Sequence, residues 1–135
     1  MKAEKQYFSE RIQMVEEFHK IFKIPYKSKP ELIDEKLAEL RHHLMVEENN
    51  EYLDACKSGD LVEIADALGD QLYVLFGTIV SHGLQDKMEE IFAEIHRSNL
   101  SKLDENNQPI IREDGKILKG KQFFRPDIQK IIERK

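Results

Sequence analysis

Glu48, Glu51, Glu63, Asp66 and Asp70 recur at helical spacing within the stretch EENNEYLDACKSGDLVEIADALGDQLYVLFG, residues 47–77, with Glu47 beside the first of them. Carboxylates three or four residues apart on a helix are neighbours, about 5–6 Å between Cβ atoms. Two such pairs facing each other across a helix–helix contact make an oxygen-rich cage suited to Mg²⁺, with Mn²⁺ as the alternative. Mg²⁺ keeps several waters and recruits substrate phosphates, so an open carboxylate cage implies a phosphorylated ligand.

The phase of the acids is what separates this pattern from an ordinary solvated face. With a helix over about residues 31–57 phased on Leu44, the positions Leu37, Leu40, Glu48, Glu51 and Ala55 fall within about 40° of it. Glu47 lies near the edge of that sector, about 60° away, and Arg41 on its flank. The apolar stripe thus continues as carboxylates. In the next helix Glu63, Asp70, Tyr73 and Gly77 share the face of Asp66, while Leu61, Leu68, Leu72, Leu75 and Ile79 lie opposite. That predicts a buried helix with one acidic stripe. Burying unpaired carboxylates costs several kcal/mol each (about), which protonation, arginine partners or metal ions relieve. A lone E-x-x-E is common on any helix surface; two successive helices with acids on the inward phase favour metal binding.

These residues need elements to hold them. A first helix is expected from about Ala3 to Phe22, with Phe8, Ile12, Val15, Phe18 and Phe22 at helical spacing. The two prolines of KIPYKSKP make that segment a linker. Gly59 ends the second helix and Asp60 caps the third, which stops near His82-Gly83. A fourth helix, from about Gln85 to Arg97, aligns Met88, Ile91, Phe92 and Ile95. Beyond Leu103, IIR and KIL flank Asp114-Gly115 and read as a short hairpin or hairpin-like loop. A terminal helix is expected to open with Pro126 in its first turn. The expectation is one all-α domain over residues 1–135, a four-helix-bundle-like core over about residues 3–101 with a C-terminal arm over about residues 102–135.

Composition narrows the partners. The chain has 135 residues, 35% of them charged, and a net charge of -5, which gives no support for binding a nucleic-acid polymer. No apolar run is long enough to span a bilayer, and MKAEKQYFSE lacks the apolar core of a signal peptide, so no membrane association is expected. A single cysteine, Cys56, fits a reducing compartment, and the cytoplasm is the expected location. Cys56 itself reads as a small packing residue.

Taken with LRHHLMVEENNEYLDA, DLVEIADALGDQLYVLFG, EIHRSNLSKL and DGKILKGKQFFRPDI, the chain resembles the all-α nucleoside triphosphate pyrophosphohydrolases, the MazG-like superfamily. That superfamily's E-x-x-E maps onto Glu48-Asn49-Asn50-Glu51. Its second motif, E-x-x-D, ends at the aspartate before an apolar run, here Asp70, but Ala67 stands where Glu is common. Asp66 and Glu63 supply acids instead, leaving the division of labour among Glu63, Asp66 and Asp70 open. The resemblance implies hydrolysis of a nucleoside triphosphate to the monophosphate and pyrophosphate. Metal ions would neutralise the triphosphate, and one of Glu47, Glu48 and Glu51 would orient or deprotonate the attacking water. It also implies Asn99 and Lys102 as nucleotide contacts, Lys116, Lys119 and Lys121 as cations closing over the triphosphate, and Arg41 as a further candidate. A homodimer or homotetramer and a role in clearing unwanted nucleotides complete what the resemblance implies.

Two other readings compete. Glu16-x-x-His19 and Glu39-x-x-His42 match the E-x-x-H of di-iron carboxylate bundles, although His42 lies about 160° from Leu44 and so away from Glu48 and Glu51. A non-catalytic helical interaction module would leave the inward acids unexplained.

Overall fold

The computed structural model describes residues 7–135. Among them the regular structure is helical: α1 Tyr7–Phe22, α2 Glu35–Ser58, α3 Leu61–Ser81, α4 Met88–Leu100 and α5 Ile128–Glu133. The expected helical positions from Ala3 to Gln6 lie outside the described residues. The chain forms two compact units that divide after Asp86, so α4 belongs with the C-terminal arm.

In the first unit α2 and α3 form the main helix–helix contact, and α1 packs on α3. Their junction is as short as a helical hairpin allows. Gly59 ends α2 in the left-handed region at φ 66°, and the Asp60 carboxylate accepts from Val62 N and Glu63 N at 3.0 and 3.3 Å. Ala55, Ala67 and Gly77 are buried, which lets the two backbones approach closely. Ile12 and Val15 anchor α1, and edge-to-face pairs Phe8–Phe76 and Phe18–Tyr73 extend that contact.

The phase of α2 differs from the expected one. Leu40 is 52% exposed, whereas Arg41 is 6% exposed, so the buried line runs through Arg41, Glu48 and Ala55. The leucines of α3 depart further: Leu61, Leu68, Leu72 and Leu75 range from 45 to 77% exposed, so α3 is not a buried element in the single chain. Among the described residues of the first unit, α1 packs on one side of α3 only. Cys56, one residue past the buried Ala55, is exposed rather than packed.

Residues 23–34 are not a free linker. Lys27 N and Glu31 N donate to the carbonyls of Val80 and His82, and Gln85 Nε2 donates to Lys27 O at 2.7 Å. These bonds hold the segment along the end of α3 and delay α2 to Glu35, where Asp34 caps Leu37 N at 2.8 Å. Gly83, at φ 70°, abuts the Lys29 carbonyl so closely that a Cβ would collide with it.

In the second unit α4 starts at Met88 and runs to Leu100, three residues later at each end than expected. The hairpin-like segment is present as a single antiparallel bridge, Ile111 with Ile117, around Gly115 at φ 91°. α5 packs on α4 through Arg134–Glu90. Asp127, not Pro126, opens α5, accepting from Lys130 N at 3.2 Å.

Candidate metal centre

The antiparallel α2–α3 pair has a fixed offset. Gln71 Nε2 donates to Asn49 Oδ1 at 3.1 Å, and Arg41 Nη2 donates to Val74 O at 2.8 Å. At that offset Glu48, Glu51 and Asp70 converge: one carboxylate oxygen from each lies within 4.8 Å of the others. Glu48 is half-buried, and its Oε2 is out of solvent with no hydrogen-bond partner. A buried carboxylate oxygen without a donor is costly and calls for a proton or a cation.

The electrostatics carry the same sense. Loss of solvent, then the adjoining Glu51 carboxyl and the charges of Asp70 and Glu47, push the Glu48 carboxyl up to about 7. Burial, then Asp66 and Glu51, raise Asp70. Among the described residues no ion pair reaches these three acids. An all-oxygen, carboxylate-rich donor set of this kind fits a hard divalent cation such as Mg²⁺ or Mn²⁺.

Of the other expected ligands, Glu63 and Asp66 stand outside that trio. They line a neighbouring cleft of about 330 Å³ together with Glu51, Asp54, Ser58 and the buried Ala55 and Ala67. Glu51 is therefore shared by the trio and the cleft. Ala67 is 3% exposed, a packing position. Glu47 is exposed and outside the trio, although its charge acts on Glu48.

The expected nucleotide contacts, Asn99, Lys102, Lys116, Lys119 and Lys121, all belong to the second unit. Lys119 Nζ sits 4.8 Å from the Phe123 ring centroid, and Lys121 pairs with Glu105 at 3.5 Å. Lys102 O accepts from Gly120 N at 2.9 Å, which ties the arm to the end of α4. Ser98 and Ser101 tie it further: Ser98 Oγ donates to Phe124 O at 2.8 Å, and Ser101 Oγ accepts from Phe124 N at 3.1 Å. No local pattern announces that pair of serines, because Phe124 lies more than twenty positions downstream.

Arg41 is buried and hydrogen-bonded to α3, so it is not a free cation for a phosphate. His19 is also buried. Its Nδ1–H donates to Pro25 O at 3.2 Å, and Glu16 pairs with Lys20, so this E-x-x-H is structural. His42 lines a separate cleft with Met45, Val46, Asn49, Gln71 and Leu75. Neither histidine joins the carboxylate trio.

The family model described as phosphoribosyl-ATP pyrophosphohydrolase matches residues 15–99, a span that contains α2, α3 and the acids Glu47, Glu48, Glu51, Glu63, Asp66 and Asp70. No curated protein matches the chain.

Proposed function

The chain belongs to the phosphoribosyl-ATP pyrophosphohydrolase family, a member of the all-α nucleoside triphosphate pyrophosphohydrolase (MazG-like) superfamily, and from that premise we propose that it cleaves a nucleoside triphosphate between the α and β phosphorus atoms, releasing pyrophosphate. The family's domain is a pyrophosphohydrolase; the finer assignment to this chain is ours. The observation that carries it is the convergence of Glu48, Glu51 and Asp70 around a buried Glu48 oxygen that has no donor.

In this reading Glu48, Glu51 and Asp70 would hold a divalent cation, Mg²⁺ by preference. When bound, that cation supplies positive charge against the phosphates and lowers the pKa of a coordinated water. Glu47, close enough to influence Glu48 but outside the trio, takes the proton of the attacking water. Glu63 and Asp66 would extend the acidic surface from Glu51 along the neighbouring cleft. By the superfamily resemblance, Asn99, Lys102, Lys116, Lys119 and Lys121, all within the second unit, are the candidate nucleotide contacts. The whole chain acts as one catalytic domain, in the cytoplasm, clearing unwanted nucleotides. The exposed leucines of α3 support a homodimer or homotetramer.

Pyrophosphate release from a nucleotide panel that includes dUTP, dCTP, phosphoribosyl-ATP and modified bases, with Mg²⁺ and with chelator, tests the assignment. We expect turnover of at least one member, lost on chelation and lost in Glu48→Ala and Asp70→Ala while circular dichroism stays unchanged. Silence across the whole panel, or full activity in both variants, would sink it.

A further inference from the structure

Arg41 is 6% exposed, and among the described residues no carboxylate pairs with it. An apolar side chain of similar volume would usually serve stability as well as a buried cation. What the guanidinium adds is direction. Nε donates to Thr78 Oγ1 at 3.1 Å, Nη2 donates to Val74 O at 2.8 Å, and Thr78 Oγ1 itself donates to that same carbonyl at 2.9 Å. The three groups form a closed ring that spans α2 and α3. Gly77 makes room for it: a Cβ there would collide with Nη2, and it would lie 2.9 Å from His19 Nε2 and 3.3 Å from Arg41 Cζ.

From Arg41 to Glu48 on α2 is seven residues, and from Gly77 back to Asp70 on α3 is also seven. Seven residues are close to two turns, about 10 Å, and return to nearly the same face. The ring and the carboxylate trio therefore lie along one seam, and any slip of α2 against α3 at the ring reappears at the trio. A slip of one residue is about 1.5 Å, whereas metal–ligand distances tolerate only about 0.2 Å. The other pin near the trio, Gln71 to Asn49, is exposed and competes with water.

We infer that Arg41 is a positioning residue for the carboxylate trio: its clamp on Val74 and Thr78 sets the α2–α3 offset at which Glu48 and Glu51 meet Asp70. This rests on the metal-binding reading of the trio. It assigns Arg41 no contact with substrate, so its loss acts on metal affinity first and on turnover through it.

The test is Mn²⁺ affinity by calorimetry on the full chain, with the Mg²⁺ dependence of turnover measured alongside and thermal unfolding as control. Arg41→Met should weaken Mn²⁺ binding about tenfold or more, as loss of a supporting residue does, and shift Mg²⁺ activation to higher concentration. Gly77→Ala, which displaces the guanidinium, should move both in the same direction. Thr78→Val should give a smaller loss, and Arg41→Lys should recover only part of the affinity, since it keeps the charge without the fork. A merely structural role lowers the melting temperature and leaves the affinity of the folded protein alone. Wild-type Mn²⁺ affinity in folded Arg41→Met and Thr78→Val overturns the inference; if Arg41→Met does not fold, Thr78→Val decides. A wild-type protein that binds no Mn²⁺ sinks the metal reading, and this inference with it.

Discussion

Glu48 links the chemistry of the site to pH. Its carboxyl sits at about 7 in the folded chain, against about 4.5 for an ordinary glutamate. A group whose folded pKa is raised stabilises the fold below its unfolded pKa and loses that contribution as pH climbs through the folded value. Metal-free protein should therefore lose stability between about pH 4.5 and 7 through this group, and Glu48→Gln should be the more stable form at pH 8. Urea unfolding in chelator at pH 5 and pH 8, for both proteins, checks the sign. A cation competes with the same proton, so Mn²⁺ affinity should rise with pH up to about 7 and then level. Inward-phase acids are legible in the sequence against a leucine reference, but that reading does not separate Asp70 from Glu63 and Asp66. The α2–α3 offset does, by bringing Asp70 to Glu48 and Glu51. Arg41 was not legible. Phasing on leucines consigns a cation to the flank, and the carbonyl of Val74 and the hydroxyl of Thr78, more than thirty residues away, make its burial tolerable.

At the scale of elements, the segment between α1 and α2 shows where local reading stops. Prolines at 25 and 30 indicate a break in helix, and the break is there. They do not reveal that Lys27 and Glu31 bond to Val80 and His82, because those partners lie about fifty residues on. The caps, by contrast, were readable: Gly59 and Asp60 act locally and did what their side chains dictate. The start of α2 departs from the expected one for the same non-local reason, the extended segment running on as far as Asp34. Gly83 is the tightest point of this arrangement, combining a left-handed φ with contact against Lys29 O. Gly83→Ala should cost at least about 1–3 kcal/mol from backbone strain alone. Chemical denaturation should show the loss.

For the molecule as a whole, the all-α class followed from periodicity, and the structure bears it out. The division after Asp86 did not follow, because α4 looks like any other amphipathic helix until its partners in the arm are known. The uncovered leucines of α3 are the second surprise. Sequence patterning marks a residue as apolar without saying which molecule will cover it. Leu61 at 77% exposed and Leu72 at 53% exposed are expensive to leave in water. Light scattering should accordingly report a dimer or tetramer, and Leu72→Lys should shift the mass toward the monomer. A monomeric wild type would leave those side chains without the role proposed for them.

Cys56 offers a practical dividend. It is the chain's one cysteine and it is exposed, five residues beyond Glu51 on the same helix, roughly 7.5 Å along the axis. A nitroxide attached there needs no background mutations and sits within paramagnetic reach of a Mn²⁺ ion held by the trio. Its spectrum would broaden as Mn²⁺ is added, reporting occupancy in the absence of any nucleotide. In an assembly, label-to-label distances would also count and space the subunits from the same sample.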